Sequence, residues 1–424
     1  MYFFSILPLA SLSHPKPSME TRRFDIVVNG ATGYTGRLVT QYLARKQASS
    51  PEEPFLWAIA GRSKSKLEHL KDTVGLPLLE ILIADSDDAA SLDALCQQTL
   101  VVIACAGPFA LHGMPLVDAC MKNSTHYVDI TGEFPFVRKV IAKHQTEAES
   151  RGILIVPMCG FDSVPSDLGN YLVHDHCQKQ FHTEPSSVVG YFDMGAGDGM
   201  SRGTLESVAN LVRTITLADI SPVCLNPSNQ RMVKTPMVFL PSFNFLLKRW
   251  TGPFLMAAIN EKVVRRSNAL SNSNASYCEG TKGTFRSTLI TTVGYYALFL
   301  TFAIPGLRTL AKRLFPAPGQ GPSEEAAMQP FHATFIAKTI NGLTATATVS
   351  SKLGGYPSTA VFAVESALCL AHDILAADSP TTSCASFLSS SLGTPKGGVM
   401  TPMTAFGALL LPRLAKNGIQ FAVQ

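Results

Sequence analysis

The chain has 424 residues, 46% of them hydrophobic and 16% charged, which is length enough for two filled cores and a more apolar make-up than an ordinary soluble enzyme carries. A net charge of +4, with no lysine–arginine tract interleaved with aromatics, argues against a nucleic-acid partner. Nine cysteines without a C-x-x-C pair read as scattered core thiols of a reducing compartment, and no His/Cys cluster stands at metal spacing, so no metal is expected.

Residues 1–20 hold an apolar run, Phe3 to Ala10, that lacks a basic flank and is interrupted by Pro8. It reads as an N-terminal extension rather than a signal peptide, and a cytoplasmic location is expected, with a membrane or lipid-droplet surface left open. The β-branched run at 24–28 then leads into Asn29-Gly30-Ala31-Thr32-Gly33-Tyr34-Thr35-Gly36, and Leu38, Tyr42 and Leu43 follow at helical spacing. A strand, a glycine turn and a helix start suit a pyrophosphate, because backbone without Cβ atoms approaches the phosphates while the helix N-terminus faces their charge. Gly30, Thr32, Gly33, Tyr34, Thr35 and Gly36 are therefore candidate cofactor residues.

A second strand at 55–60 ends in Gly61-Arg62-Ser63-Lys64-Ser65-Lys66, where an NAD-binding chain offers an acidic residue to the ribose. Arg62, Ser63 and Lys66 instead suit the 2′-phosphate of NADP; the plainer alternative is a solvated basic loop. A third strand, 78–84, ends at Asp85, which is placed either to meet the adenine or to cap the helix predicted over 89–98. The nearly unbroken apolar run 100–105 reads as a central parallel strand, and the loop after it, Ala106-Gly107-Pro108 and on to His112, is expected against the ribose or nicotinamide. Helices over 115–122 and 134–151 and strands over 125–130 and 153–157 complete six alternations, a full doubly wound parallel sheet.

GATGYTG, AGR, CAGPF, YVDITGE and GFDSVPSD together resemble the saccharopine dehydrogenase-like oxidoreductases, in particular their trans-acting enoyl reductase subgroup, and Ser201 to Thr204 and Thr401 to Gly407 extend the likeness over nearly the whole chain. The resemblance implies an N-terminal Rossmann domain, an inserted α+β domain and a C-terminal helix that returns to the Rossmann domain. The corresponding domain boundaries are 21–165 for the NADP-binding part, 166–354 for the substrate part and 355–424 for the C-terminal segment.

Within the middle of the chain, residues 187–192 read as a strand, and two runs flanking Asn341-Gly342 read as a hairpin. The glycine-rich stretch 195–204 precedes a predicted helix and lacks a βαβ frame, so it is either a substrate-holding loop or a simple cap. Residues 235–318 form a greasy, proline-punctuated insertion. Its uncharged run 287–307, flanked by Arg286 and Arg308, would cover about 30 Å as one helix. Three readings stay open for it: an amphiphilic or acyl-accepting element, a buried helix, and a membrane span. An exposed loop follows at 316–330, then a long apolar helix at 360–377, a proline- and serine-rich connection, a helix at 404–417 and an edge strand at 419–423.

By resemblance the leading activity is NADPH-dependent reduction of a C=C bond in a hydrophobic acyl or polyketide-type substrate, free or carrier-bound, with a synthase partner acting in trans. Such chemistry needs a donor for the carbonyl oxygen and a proton for the α-carbon. His112 and Tyr127 are the first candidates for the acid, with Asp129, Glu133, Asp162 and Ser163 nearby. A nucleotide-binding lipid-surface protein without turnover, a saccharopine-type amino-acid dehydrogenase and a homodimeric assembly are kept as alternatives.

Overall fold

In the computed structural model, residues 22–194, 199–227, 238–375 and 397–424 are described. The first part alternates strictly: β1 (Phe24–Asn29), α1 (Tyr34–Ser49), β2 (Trp57–Gly61), α2 (Lys64–Thr73), β3 (Glu80–Ile83), α3 (Ala89–Cys96), β4 (Thr99–Ala104), α4 (Phe109–Asn123), β5 (His126–Asp129), α5 (Phe134–Arg151) and β6 (Leu154–Val156). Central strands are apolar on both faces because helices cover both. Ile26 and Val28 of β1 join one core while Phe24 and Val27 join the other.

The middle runs through α6 (Val164–Phe181), β7 (Pro185–Met194), α7 (Arg202–Thr214), α8 (Leu217–Ile220), β8 (Ser242–Asn244), β9 (Arg249–Gly252), α9 (Ala257–Leu270) and β10 (Ser276–Gly283). It continues as α10 (Phe285–Ala303), α11 (Pro305–Lys312), α12 (Glu324–Ala327), the hairpin β11 (Phe331–Thr339) and β12 (Thr344–Ser351), and α13 (Gly355–Leu368). Beyond α13 come β13 (Gly398–Val399), the short helices Pro402–Phe406 and Leu410–Lys416, and β14 (Ile419–Val423).

Two seven-stranded sheets result. The first has the order β13-β6-β5-β4-β1-β2-β3 with every pairing parallel, the doubly wound arrangement expected. The second has the order β14-β12-β11-β7-β10-β9-β8 and is antiparallel except between β7 and β10. The C-terminal segment supplies a strand to each: β13 pairs with β6, and β14 forms the expected edge beside β12. The connection before β13, 376–396, lies outside the described residues, as do residues 1–21 and 195–198 of the second glycine-rich stretch.

Three helical runs read in the sequence differ from the structure, and the one at 404–417 is broken at Gly407, whose φ is +49°, into Pro402–Phe406 and Leu410–Lys416. The uncharged run 287–307 is not one helix: α10 stops at Ala303, Pro305 opens α11, and the two axes differ by 100°. Proline fixes its own φ and pushes Ile304 out of helical conformation, so the chain turns there. Among the described residues no single helix is long and apolar enough to cross a membrane. The helix predicted from Pro115 begins at Phe109, for a reason given below.

The returning helix α13 lies against α1 and beneath β4 and β5, and one buried carboxylate fixes it there. Glu365, with a fully buried side chain, accepts from Tyr42 Oη at 2.7 Å, pairs with Lys46 at 3.0 Å and approaches Arg413 at 3.5 Å. Removing one partner of a buried ion pair strands the other. Glu365→Ala, which leaves the buried Lys46 ammonium with only the more distant Glu53 at 3.7 Å, should cost about 3–5 kcal/mol of unfolding free energy in urea titration.

Candidate functional site

A cleft of about 1540 Å³ opens beyond the carboxyl ends of the first sheet's strands. Its floor is the glycine turn. A Cβ on Gly36 would lie 2.2 Å from the carbonyl oxygen of Gly30, and one on Gly30, whose φ is +81°, would lie 2.7 Å from the amide nitrogen of Ala106. Main chain therefore packs directly on main chain between the turn and the end of β4. Gly33 is the N-cap of α1 and no side chain caps that helix end, the arrangement that receives a phosphate. Gly30, Thr32, Gly33, Tyr34 and Thr35 line the cleft, while Gly36 lies underneath as the spacer that lets the turn close.

At the end of β2, Arg62, Ser65 and Lys66 line the cleft; among the described residues neither cation is in an ion pair. Ser63 does not reach it, being the N-cap residue of α2 with its Oγ 3.3 Å from Ser65 Oγ. Asp85 lines the cleft and its carboxylate accepts from the Asp87 amide at 3.2 Å, but the cap of α3 is Asp88, which accepts from the Ala90 amide at 3.0 Å. Ala106 and Gly107 line the wall after β4, whereas Pro108 becomes the N-cap residue of α4 and stays behind it.

The early start of α4 is explained by a carboxylate far along the chain. Glu133 accepts from the amides of Phe109 at 2.8 Å and Ala110 at 3.0 Å, occupying first-turn donors that would otherwise lack a partner, and also from Ser207 Oγ at 2.7 Å. Pro115 is thereby carried inside the helix. His112 consequently sits in the first turn of α4, not in a loop, and lines the cleft.

Tyr127 is not placed to act as an acid. It is 1% exposed, donates to Asp129 Oδ2 at 2.8 Å within the core, does not line the cleft, and burial pushes its phenol well above the usual range. Alternation along β5 puts its ring on the face covered by helices rather than at the strand's open end. Asp129 is likewise structural. It accepts from the amides of Met158 at 2.8 Å and Thr131 at 3.0 Å as well as from Tyr127, tying the ends of β5 and β6 together. Asp162 differs. It lines the cleft, no hydrogen bond from another described residue meets its carboxyl, and burial alone raises it to about 6.

One contributor carried no sequence signal beyond its glycines and prolines. The segment 316–322, read as a free loop, lies over the glycine turn: Tyr34 Oη donates to the carbonyl of Pro322 at 2.9 Å, Arg37 to that of Gly319 at 2.6 Å, and the amide of Arg202 to that of Gln320 at 3.0 Å. On the side facing the second sheet, Leu298, Phe299 and Phe302 of α10 and Leu211 of α7 make an apolar wall. Tyr356 joins the two sides, accepting from the Ser201 amide at 2.7 Å and stacking edge-on against Tyr34 at 5.0 Å.

Residues 26–156 match the family described as saccharopine dehydrogenase NADP binding domain. A putative trans-acting enoyl reductase of Mycobacterium tuberculosis (strain ATCC 25618 / H37Rv) is 31% identical over 432 residues, covering 94% of this chain and 97% of that protein. The chain belongs to the trans-acting enoyl reductase family. A second member, the trans-acting enoyl reductase of Mycobacterium ulcerans (strain Agy99), is 28% identical over 446 residues, covering 95% and 98%. In fold, the chain is similar to apo saccharopine dehydrogenase (L-Glu forming) from Saccharomyces cerevisiae, with a TM-score of 0.51 at 14% identity, over 95% of this chain and 100% of that one.

The cofactor of the family's N-terminal domain is NADP, and the cleft fits it: the turn has no room for a Cβ at Gly36, α1 has an uncapped N-terminus, and two cations stand at the end of β2. Arg62→Asp should weaken NADPH binding by roughly ten- to a hundredfold, the worth of charge-assisted hydrogen bonds to one phosphate, while leaving NADH binding level or improved. Titration calorimetry with both nucleotides measures the two constants directly.

Proposed function

We propose that this protein is an NADPH-dependent enoyl reductase acting on a hydrophobic acyl or polyketide-type chain that a separate synthase supplies in trans. The observation that carries the reading is the division of one cleft into a polar end, with the glycine turn, Arg62 and Lys66, and an apolar end walled by α10 and α7. The names of the relatives that align over nearly the full chain support the same reaction class. A saccharopine-type substrate fits less well, because a dicarboxylate calls for unpaired cations at the apolar end, and Arg202 there is engaged by Glu206 at 2.5 Å.

NADPH, when bound, supplies a hydride to the β-carbon of the substrate. The side chains of the cleft then have two tasks, to hold the charge that develops on the carbonyl oxygen and to give a proton to the α-carbon. We assign the proton to Asp162. Of the three carboxyl groups that follow β5 and β6, Asp129 and Glu133 are filled by main-chain donors, and Asp162 lines the cleft without one. Its burial favours the protonated form, which is the form that donates. His112 in the first turn of α4 is assigned the hydrogen bond to the carbonyl oxygen. The α10 wall excludes water from the apolar end.

Mixing the protein with NADPH and a panel of enoyl thioesters tests the reading: loss of NADPH absorbance with saturated product is expected, and nucleotide binding without oxidation across the panel would favour a scaffold without turnover. The pH profile tests Asp162. A group that must be protonated gives full kcat/KM below its pKa and a falling limb above it, so the limb should begin near pH 6. In Asp162→Asn the limb should vanish and kcat should drop by roughly a hundredfold or more, the usual worth of a general acid, with NADPH binding unchanged.

A further inference from the structure

The outward side of the substrate half presents apolar side chains that no described residue covers. Ile290 is 72% exposed, Leu310 57% and Leu314 83%, and the turn of the β8–β9 hairpin carries Phe245 at 84% and Leu246 at 69%. These are not scattered side chains. The hairpin is fixed to α10, with Trp250 and Phe285 rings 4.8 Å apart and Tyr296 Oη donating to the carbonyl of Phe239 at 2.8 Å, and α11 follows α10 directly across the bend at Ile304. Exposed apolar patches of this kind mark an interaction site.

Charge identifies the occupant. No Asp or Glu lies between Asp219 and Glu261, nor between Glu279 and Glu324. Lys248 and Arg249 flank the hairpin turn, and Arg286, Lys312 and Arg313 flank the helices, all five exposed. The charges that these two segments contribute are therefore all cationic, and the acid that approaches them from another strand is Asp193 of β7, beside Lys282. A protein partner is recognised through a rim of mixed polar groups, and its core is depleted of lysine. An apolar face bordered by an excess of exposed cations is the composition that lies in the boundary between anionic headgroups and acyl chains. The 100° bend between α10 and α11 sets the two helices in an L instead of a span.

We propose that α10, α11 and the β8–β9 hairpin form a membrane-docking face that seats the protein on an anionic phospholipid bilayer. The opposite side of the same α10 carries Leu298 and Phe302 into the cleft, and Phe299, half exposed, belongs to both. Docking thus brings the apolar end of the cleft to the lipid surface, and a hydrophobic chain passes into it without crossing water. That last step rests on the substrate class proposed above; the docking does not. The stretch continues through α11 into 316–322, which lies on Tyr34 and Arg37 at the cofactor end.

Flotation of the full chain with vesicles of phosphatidylcholine alone, and with added phosphatidylglycerol, tests the docking, and NADPH calorimetry on the same samples reports the cofactor site separately. The protein should float with the anionic vesicles and be released by salt. The exposed double variant Leu310→Glu, Leu314→Glu should lose roughly a hundredfold in vesicle affinity, the worth of two leucine side chains no longer buried, with NADPH binding unchanged. Absence from the floating fraction while NADPH still binds would overturn the docking and leave the reductase reading intact. A dimer that the double variant dissociates, without flotation, would assign the face to a second copy and overturn it equally. Flotation that the double variant retains would place the lipid contact elsewhere.

Discussion

The cleft depends on a steric constraint: between Gly30 and Gly36 there is less space than a methyl group needs. That closeness brings the start of α1 over the end of β1 and presses the turn on Ala106 at the end of β4, so three adjacent elements share one fixed geometry. A helix N-terminus then faces the cleft with no side chain to cap it. The phosphate-binding end is thus made of backbone, whose position cannot relax through a change of rotamer. The side chains to which we assign the selectivity, Arg62 and Lys66, line the cleft from a neighbouring turn that the constraint does not touch. Cofactor class and cofactor preference are therefore separable in this chain.

Burial alone does not tell the carboxylates apart; their partners do. Asp129 and Asp162 are both raised to about 6 by burial, yet Asp129 has three donors around it and Asp162 has none among the described residues. Asp167, raised to about 7, accepts from Ser267 and from the Met403 amide at 2.8 Å, and so joins α6, α9 and the C-terminal segment. Each of the filled groups closes a junction between elements distant in sequence. A carboxyl that closes no junction and faces a cleft has no structural duty to offset the cost of its desolvation, which is the physical ground for giving it a chemical one.

What could be read from the sequence follows the same division. Apolar periodicity located the alternating strands and helices of the first sheet, because each strand's two-sided burial is written in its own residues. Asn341-Gly342 located the β11–β12 hairpin for a similarly local reason. Three features were not legible. The start of α4 is set by Glu133, 24 residues away, and Pro115 gave a false boundary because the cost of a proline inside the helix is offset by a start fixed upstream of it. The two-residue strand β13 is too short for periodicity and joins the sheet because Arg266 holds the carbonyl of Val399 at 2.6 Å. Tyr127 looked like a cleft residue since it precedes a strand end, but the two-residue alternation of the strand sends it into the core.

The second sheet and the C-terminal return explain how a cleft with ends of opposite character is held open at one width. Its polar wall belongs to the first sheet, its apolar wall to α7 and α10, and the two meet in few places: Tyr356 against Tyr34 and Ser201, Glu133 against Ser207, and the 316–322 segment against Arg37. Two of these contacts, Tyr356 with the Ser201 amide and Arg37 with the Gly319 carbonyl, use a main-chain group on one side and so survive substitution there. Behind them, Glu365 binds α13 to α1 and to Arg413 near the chain's end, while β13 and β14 place that one C-terminal stretch in both sheets. A strand in each sheet from a single continuous segment prevents the sheets from separating independently. The apolar wall can then be built from helices whose outer face is exposed, because its position is set from behind and not by what it packs against in front.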